Sequence, residues 1–141
     1  MIGDLSGLPS STQRAVDEAV QQTQDGKGLQ LTIALNYGGQ QEIARACQQI
    51  AQQVSQGQLM PDAVDKALLY QYLDTRDLPD PDLILRTGGE MRLSNFLLWQ
   101  SAYAELAFTD TLWPDFTNAE FLEILDEYGH RERRYGAVKG E

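Results

Sequence analysis

Two arginines and a serine, Arg86, Arg92 and Ser94, stand within a run reading Arg86-Thr87-Gly88-Gly89-Glu90-Met91-Arg92-Leu93-Ser94-Asn95. Guanidinium groups make paired hydrogen bonds to phosphate oxygens, and a serine hydroxyl adds a short neutral donor. An apolar stretch, Asp82-Leu83-Ile84-Leu85, precedes the run, and Phe96-Leu97-Leu98-Trp99 follows it. That order predicts strand, glycine-containing loop and helix, with the first N–H groups of the helix adding to a receptor for a phosphate-type anion. The residues are equally compatible with an ordinary Gly88-Gly89 turn and two surface or paired arginines. No Gly-Lys-Ser/Thr loop is present, and the run does not fit the Gly-x-Gly-x-x-Gly dinucleotide pattern.

The elements that must hold this loop follow from periodicity. Ala15, Val16, Ala19 and Val20 form an apolar stripe that predicts a first helix over Pro9–Gln24, closed by Asp25-Gly26-Lys27-Gly28. Leu29–Leu35 reads as a short buried strand, and a second helix is expected over Gln40–Gln56. Pro61 can open a third helix reaching Tyr72. Leu78-Pro79-Asp80-Pro81 is a stiff connector into the strand ending at Arg86. A fourth helix is expected from Ser94 to Tyr103, capped by Ser94 or Asn95, then a strand at Leu106–Thr109. Thr117-x-x-Glu120 is a capping-box pattern ahead of Phe121, Ile124, Leu125 and Tyr128 and marks a last helix. Strands alternating with helices imply an α/β fold, here a partial parallel sheet of three or four strands with helices on both faces. Ligands in such sheets bind at the carboxyl ends of strands, which puts Asn36–Gly39 and Arg86–Ser94 on one rim. So small a sheet should leave an open edge and exposed apolar surface.

The 141 residues fit one domain, with 42% hydrophobic and 9% aromatic content typical of a globular protein. A net charge of −10 excludes general nucleic-acid binding, which needs a basic footprint. The basic residues are clustered, however: Arg86 and Arg92 flank the loop, and Arg131, Arg133 and Arg134 lie near the C-terminus. No stretch is apolar for long enough to be a membrane span, and no basic region followed by an apolar run opens the chain, so a cytoplasmic setting is expected. The single cysteine, Cys47, rules out an internal disulfide and is spaced with Ile43, Ile50 and Val54 as a core residue. Trp99, Tyr103, Trp113 and Phe116 are expected in the core or at a subunit interface, Glu90 and Asn95 in holding the loop and capping the helix, and His130 at the surface.

The block from Asp82 to Gln100 closely resembles the signature of the cis-prenyltransferases, of the bacterial undecaprenyl diphosphate synthase kind. Ala102–Phe108 and Leu112-Trp113-Pro114-Asp115-Phe116 continue the likeness in register, and Asn36-Tyr37-Gly38-Gly39 and Ile2-Gly3-Asp4 are similar to upstream landmarks. One departure is Gln40, where many relatives carry arginine.

The resemblance implies the C-terminal part of the cis-prenyltransferase fold. It implies that Arg86, Arg92 and Ser94, with the backbone of Leu93, bind the diphosphate of isopentenyl diphosphate. Glu105 would be a magnesium (Mg2+) ligand, and Arg134-Tyr135-Gly136 would supply Arg134 and Gly136 across a dimer interface to the partner's diphosphate. The family's His-x-x-Met-Asp-Gly-Asn-Gly-Arg stretch, whose aspartate binds magnesium with the allylic (farnesyl-type) diphosphate, does not occur in the sequence. The expectation is therefore a truncated, single-domain chain, inactive alone, working as a homodimer or with a full-length homologue and meeting membranes through its lipid product. The alternatives are a non-catalytic subunit that donates its Arg-x-Gly to a catalytic partner, and a plain small-molecule binder.

Overall fold

Pro9 starts the first helix by offering its carbonyl to Thr12 N and Gln13 N at 2.9 and 3.1 Å. The computed structural model describes residues 1–132, and in it this helix, α1, covers Ser10–Thr23, one residue inside each expected end. The chain forms two compact units, Met1–Pro79 and Asp80–Glu141. Among the described residues no helix is long and apolar enough to cross a membrane.

In the first unit α1 buries no residue, so its apolar stripe stays open to solvent. Helix α2 (Gly39–Ser55) buries Gly39, Glu42, Ala46 and Ile50, a spacing of three, four and four that keeps one face inward. Cys47 is exposed, against the expectation of a core residue. The buried face runs through Ala46, at 0% exposure, and Cys47 lies about 100° round the helix from it. The expected helix from Pro61 to Tyr72 is broken in two. Pro61–Ala63 is a 3₁₀ turn, and α3 spans only Lys66–Gln71. Asp65 makes the break: its backbone is extended, and its Oδ1 accepts from Leu68 N at 2.8 Å as an N-cap.

Leu29–Leu35 does not form the expected strand. Only its end is paired, as a parallel bridge between Ala34 and Ile2, with Ile2 N donating to Ile33 O at 3.1 Å and Leu35 N to Ile2 O at 3.0 Å. Leu29 is 95% exposed. A strand is stabilised by its neighbours on both sides, and no described residue ladders with the backbone of 29–32. Gly3 enables the paired end: its φ is +105°, and a Cβ there would lie 2.1 Å from Leu35 O. Beside it, Asp4 accepts from Ser6 Oγ at 2.6 Å and Ser6 N at 2.9 Å, which together hold its carboxyl below the usual range.

Leu73, Ala46 and Ile50 form the apolar centre of this unit around a polar hub. The buried Glu42 accepts from Tyr37 OH at 2.7 Å through Oε2 and from Asp74 N at 2.8 Å through Oε1. Asp74 in turn accepts from Arg45 Nη2 at 2.8–2.9 Å on both oxygens and from Gly3 N at 3.0 Å. The hub thereby ties α2 to the N-terminal bridge and to the segment after α3.

In the second unit β1 (Leu83–Arg86) and β2 (Glu105–Phe108) pair in parallel, Leu83 opposite Glu105 and Arg86 opposite Phe108. Glu105 N donates to Asp82 O at 2.9 Å and Thr109 N to Arg86 O at 3.0 Å, extending the ladder at both ends. Ile84 and Ala107 are its buried residues. The α/β class and the parallel pairing are as expected. The described residues contain this two-stranded sheet and one isolated bridge, in place of three or four strands.

The expected helix over Ser94–Tyr103 is absent. Ser94, Asn95 and Leu97 have φ of 47°, 67° and 45°, left-handed values that interrupt an i→i−4 ladder. Only a 3₁₀ turn, Gln100–Tyr103, follows. Helix α4 (Asn118–Gly129) does begin as its capping pattern predicts, Thr117 Oγ1 accepting from Glu120 N at 3.2 Å. The Glu120 side chain does not close the box. It accepts from Thr109 Oγ1 and so fastens α4 to the end of β2. Trp113 stacks on Phe116 at a centroid distance of 6.2 Å, and Phe116 meets Phe121 edge-on. Trp113 is nonetheless 76% exposed and Tyr103 is also exposed, so neither belongs to a core. Both lie in or beside 3₁₀ turns, which are too short to bury so large a ring.

Candidate functional site

Arg86 is the last residue of β1, and its backbone is held in the ladder by Thr109. From that fixed root the guanidinium reaches back over the loop. Nη1 donates to Ser94 Oγ at 2.8 Å and to the carbonyl of Arg92, and Nη2 donates to Glu90 Oε2 at 2.7 Å. One side chain therefore gathers three positions of the loop around itself. This hold explains the missing helix: with Arg92 O and Ser94 Oγ drawn to Arg86, the backbone turns through positive φ at Ser94 and Asn95. The residue whose side chain could do chemistry also shapes the segment that carries its partners.

Arg92 closes the cluster from the other side, pairing its Nη2 with Glu90 Oε2, the oxygen already used by Arg86. Two guanidinium groups and a hydroxyl thus converge, as the sequence predicts, with Glu90 between them in the role of loop holder. Arg92 is the more open of the two arginines. Leu93 sits between them and Ser94, and its carbonyl accepts from Phe96 N at 3.0 Å.

The backbone part of the expected receptor is different. No helix begins at Ser94 or Asn95, so the helix N-terminus expected there is absent. Gly88 N donates to Thr111 O and Gly89 N to Thr109 O, each at 2.9 Å, so these N–H groups anchor the loop. Both glycines have positive φ, 88° and 77°, which lets two successive N–H groups point back at the chain after β2. The Gly88 and Gly89 N–H groups are thus engaged within the chain.

Glu105 opens β2. Its Oε2 accepts from Arg131 Nη1 at 3.1 Å, and the same Nη1 donates to Leu106 O at 2.9 Å. Both side chains of the pair are about a third exposed. Magnesium takes near-octahedral oxygen coordination and gives up its waters reluctantly. One carboxylate already neutralised by a guanidinium does not supply that, and among the described residues no trio of His, Cys, Asp or Glu could hold a metal ion. Arg131 is a partner that sequence reasoning missed: it lies 26 residues from Glu105, and no local pattern links them. Arg134 and Gly136 lie outside the described residues.

A model of the undecaprenyl diphosphate synthase family matches residues 1–136, nearly the whole chain. The chain belongs to that family. Its likeness to the isoprenyl transferase of Geobacillus kaustophilus is 53% identity over 98% of this chain and 54% of that protein. The isoprenyl transferase of Bacillus subtilis is 49% identical over 98% of this chain and 53% of its own length. The chain thus spans about half the length of the curated relatives it matches. Among solved structures, lavandulyl diphosphate synthase from Lavandula x intermedia, crystallised with dimethylallyl diphosphate, superposes with a TM-score of 0.93 at 43% identity. That match covers 96% of this chain and 58% of the synthase. The part of the cis-prenyltransferase fold expected from the sequence is therefore shared at the level of the backbone.

Proposed function

We propose that the protein is an isoprenyl transferase that joins isopentenyl diphosphate to an allylic diphosphate in cis geometry, and that this chain carries the isopentenyl half of the site. The observation that supports this best is the convergence of Arg86, Arg92 and Ser94 on one loop at the carboxyl end of β1. In the reaction a carbon–carbon bond forms between the isopentenyl methylene carbon and the allylic carbon that carries the leaving diphosphate. A proton is then lost from the isopentenyl unit, which leaves an allylic product able to react again.

The roles follow from the chemistry of each group. Arg86, already fixed by the strand, would take one diphosphate oxygen, and the more open Arg92 would fold over the ligand. Ser94 would add its hydroxyl and Leu93 a backbone group. Glu105 remains the chain's candidate for meeting a magnesium ion that arrives with a substrate, once Arg131 lets go. Arg134 and Gly136 would complete the site of a second subunit in a homodimer or a heteromer with a full-length homologue. Exposed Tyr103 and Trp113 suit such an interface. A cytoplasmic protein meeting the membrane through its lipid product fits this role.

The test is calorimetric titration of the chain with isopentenyl diphosphate, beside an assay of product formation from farnesyl and isopentenyl diphosphates. Binding without turnover is the expected result. Absence of binding would end the half-site reading, and turnover by the pure chain would show that it is more than half a site.

A further inference from the structure

Glu90 does more in the arginine cluster than hold the loop. A single carboxylate oxygen, Oε2, receives N–H groups from both Arg86 and Arg92, while Arg86 also holds Ser94 Oγ. Two guanidinium donors meeting at one anionic oxygen, with a hydroxyl alongside, is the arrangement that a diphosphate oxygen would need. The seat is filled by the chain's own anion.

We infer that Glu90 is an internal counter-anion that competes with the diphosphate for Arg86 and Arg92 and sets which anions can enter. This rests on the reading of Arg86, Arg92 and Ser94 as a diphosphate site. Glu90 is 43% exposed, so its carboxylate can rotate into water without burying a charge. The backbone beneath it stays put, because Gly89 N is bonded to Thr109 O. Exchange is therefore a side-chain event. Its outcome depends on charge: a singly charged anion gains no more from two guanidinium groups than the carboxylate it displaces, whereas a diphosphate brings more negative charge to the same donors. The site consequently favours a diphosphate over chloride or acetate, and by a smaller margin over inorganic phosphate. After exchange Glu90 faces the ligand as a like charge unless it leaves, so removing its charge should raise affinity.

The whole chain is titrated with inorganic pyrophosphate and with inorganic phosphate, as wild type, Glu90→Gln, Glu90→Asp and Arg92→Ala, with the fold of each checked by circular dichroism. Glu90→Gln is expected to bind pyrophosphate about tenfold more tightly, the scale of losing two partly exposed competing ion pairs. It is also expected to narrow the preference for pyrophosphate over phosphate. Glu90→Asp keeps the charge on a shorter arm that cannot span both arginines, and an intermediate gain is expected. Weaker or unchanged binding in Glu90→Gln, with Arg92→Ala also weakened, would overturn the competition and show Glu90 as a support for the arginines. Equal binding by wild type and Arg92→Ala, or none by any variant, would overturn the arginine site itself and this inference with it.

Discussion

Replacing Arg86 by alanine is expected to weaken isopentenyl diphosphate binding by about 100-fold or more, the sum of two or three charged hydrogen bonds. The size comes from the double duty of this side chain. On the proposed function it would be a donor to the ligand in its own right, and it holds Ser94 Oγ, the Arg92 carbonyl and Glu90 in place. Arg92→Ala removes donors from an otherwise intact loop and should cost less. Arg86→Lys is a sharp control, because one ammonium nitrogen cannot serve the two sides of the loop that Nη1 and Nη2 reach separately. Little recovery is expected from it. Calorimetry of the three variants checks the order, and Arg86→Ala binding within threefold of wild type would refute the organising role.

The second large effect lies in the first unit. Glu42→Ala should destabilise the protein by about 3 kcal/mol, since it removes the buried carboxylate that accepts from the Tyr37 hydroxyl and the Asp74 N–H. Urea unfolding followed by helical circular dichroism reads this directly, because α1, α2 and α3 all lie in that unit. Cys47→Ala on the exposed side of α2 is the matched control and should change stability by less than about 0.5 kcal/mol. Equal shifts for the two variants would mean that the hub carries no special energy.

The elements that were legible in the sequence are those decided by neighbours in the chain. Helices α1, α2 and α4 follow from apolar spacing and, for α4, from the Thr117 cap, while β1 and β2 follow from short apolar runs beside turn residues. The misses share a cause as well. Leu29–Leu35 has a strand's composition, yet a strand is made by its partners and only the Ala34 end has one among the described residues. Ser94–Tyr103 has a helix's composition, yet the Arg86 side chain claims Ser94 and Arg92 first. Cys47 failed by one step of helical rotation, an error that a spacing argument over four residues cannot detect.

The candidate site divides in the same way. The clustering of Arg86, Arg92 and Ser94 was legible because a specific run of types carries them within nine positions of sequence. The ion pairs that decide their availability were not. Glu90 stands beside the arginines in the run, but only the fold shows that one of its oxygens serves both. Arg131, just past α4, reaches Glu105 and the Leu106 carbonyl at the start of β2, a proximity that only the fold creates.

The anchoring of Gly88 and Gly89 to Thr111 and Thr109 divides the loop by timescale. Its root is laced into the sheet and opens only when the ladder does, whereas its tip, Glu90 to Arg92, is held by partly exposed side chains that can reorganise in nanoseconds. On the proposed function, an arriving ligand would meet a fast surface mounted on a slow frame. Capture would then proceed at the pace of side-chain motion, while the positions of the captured oxygens would be inherited from the strand.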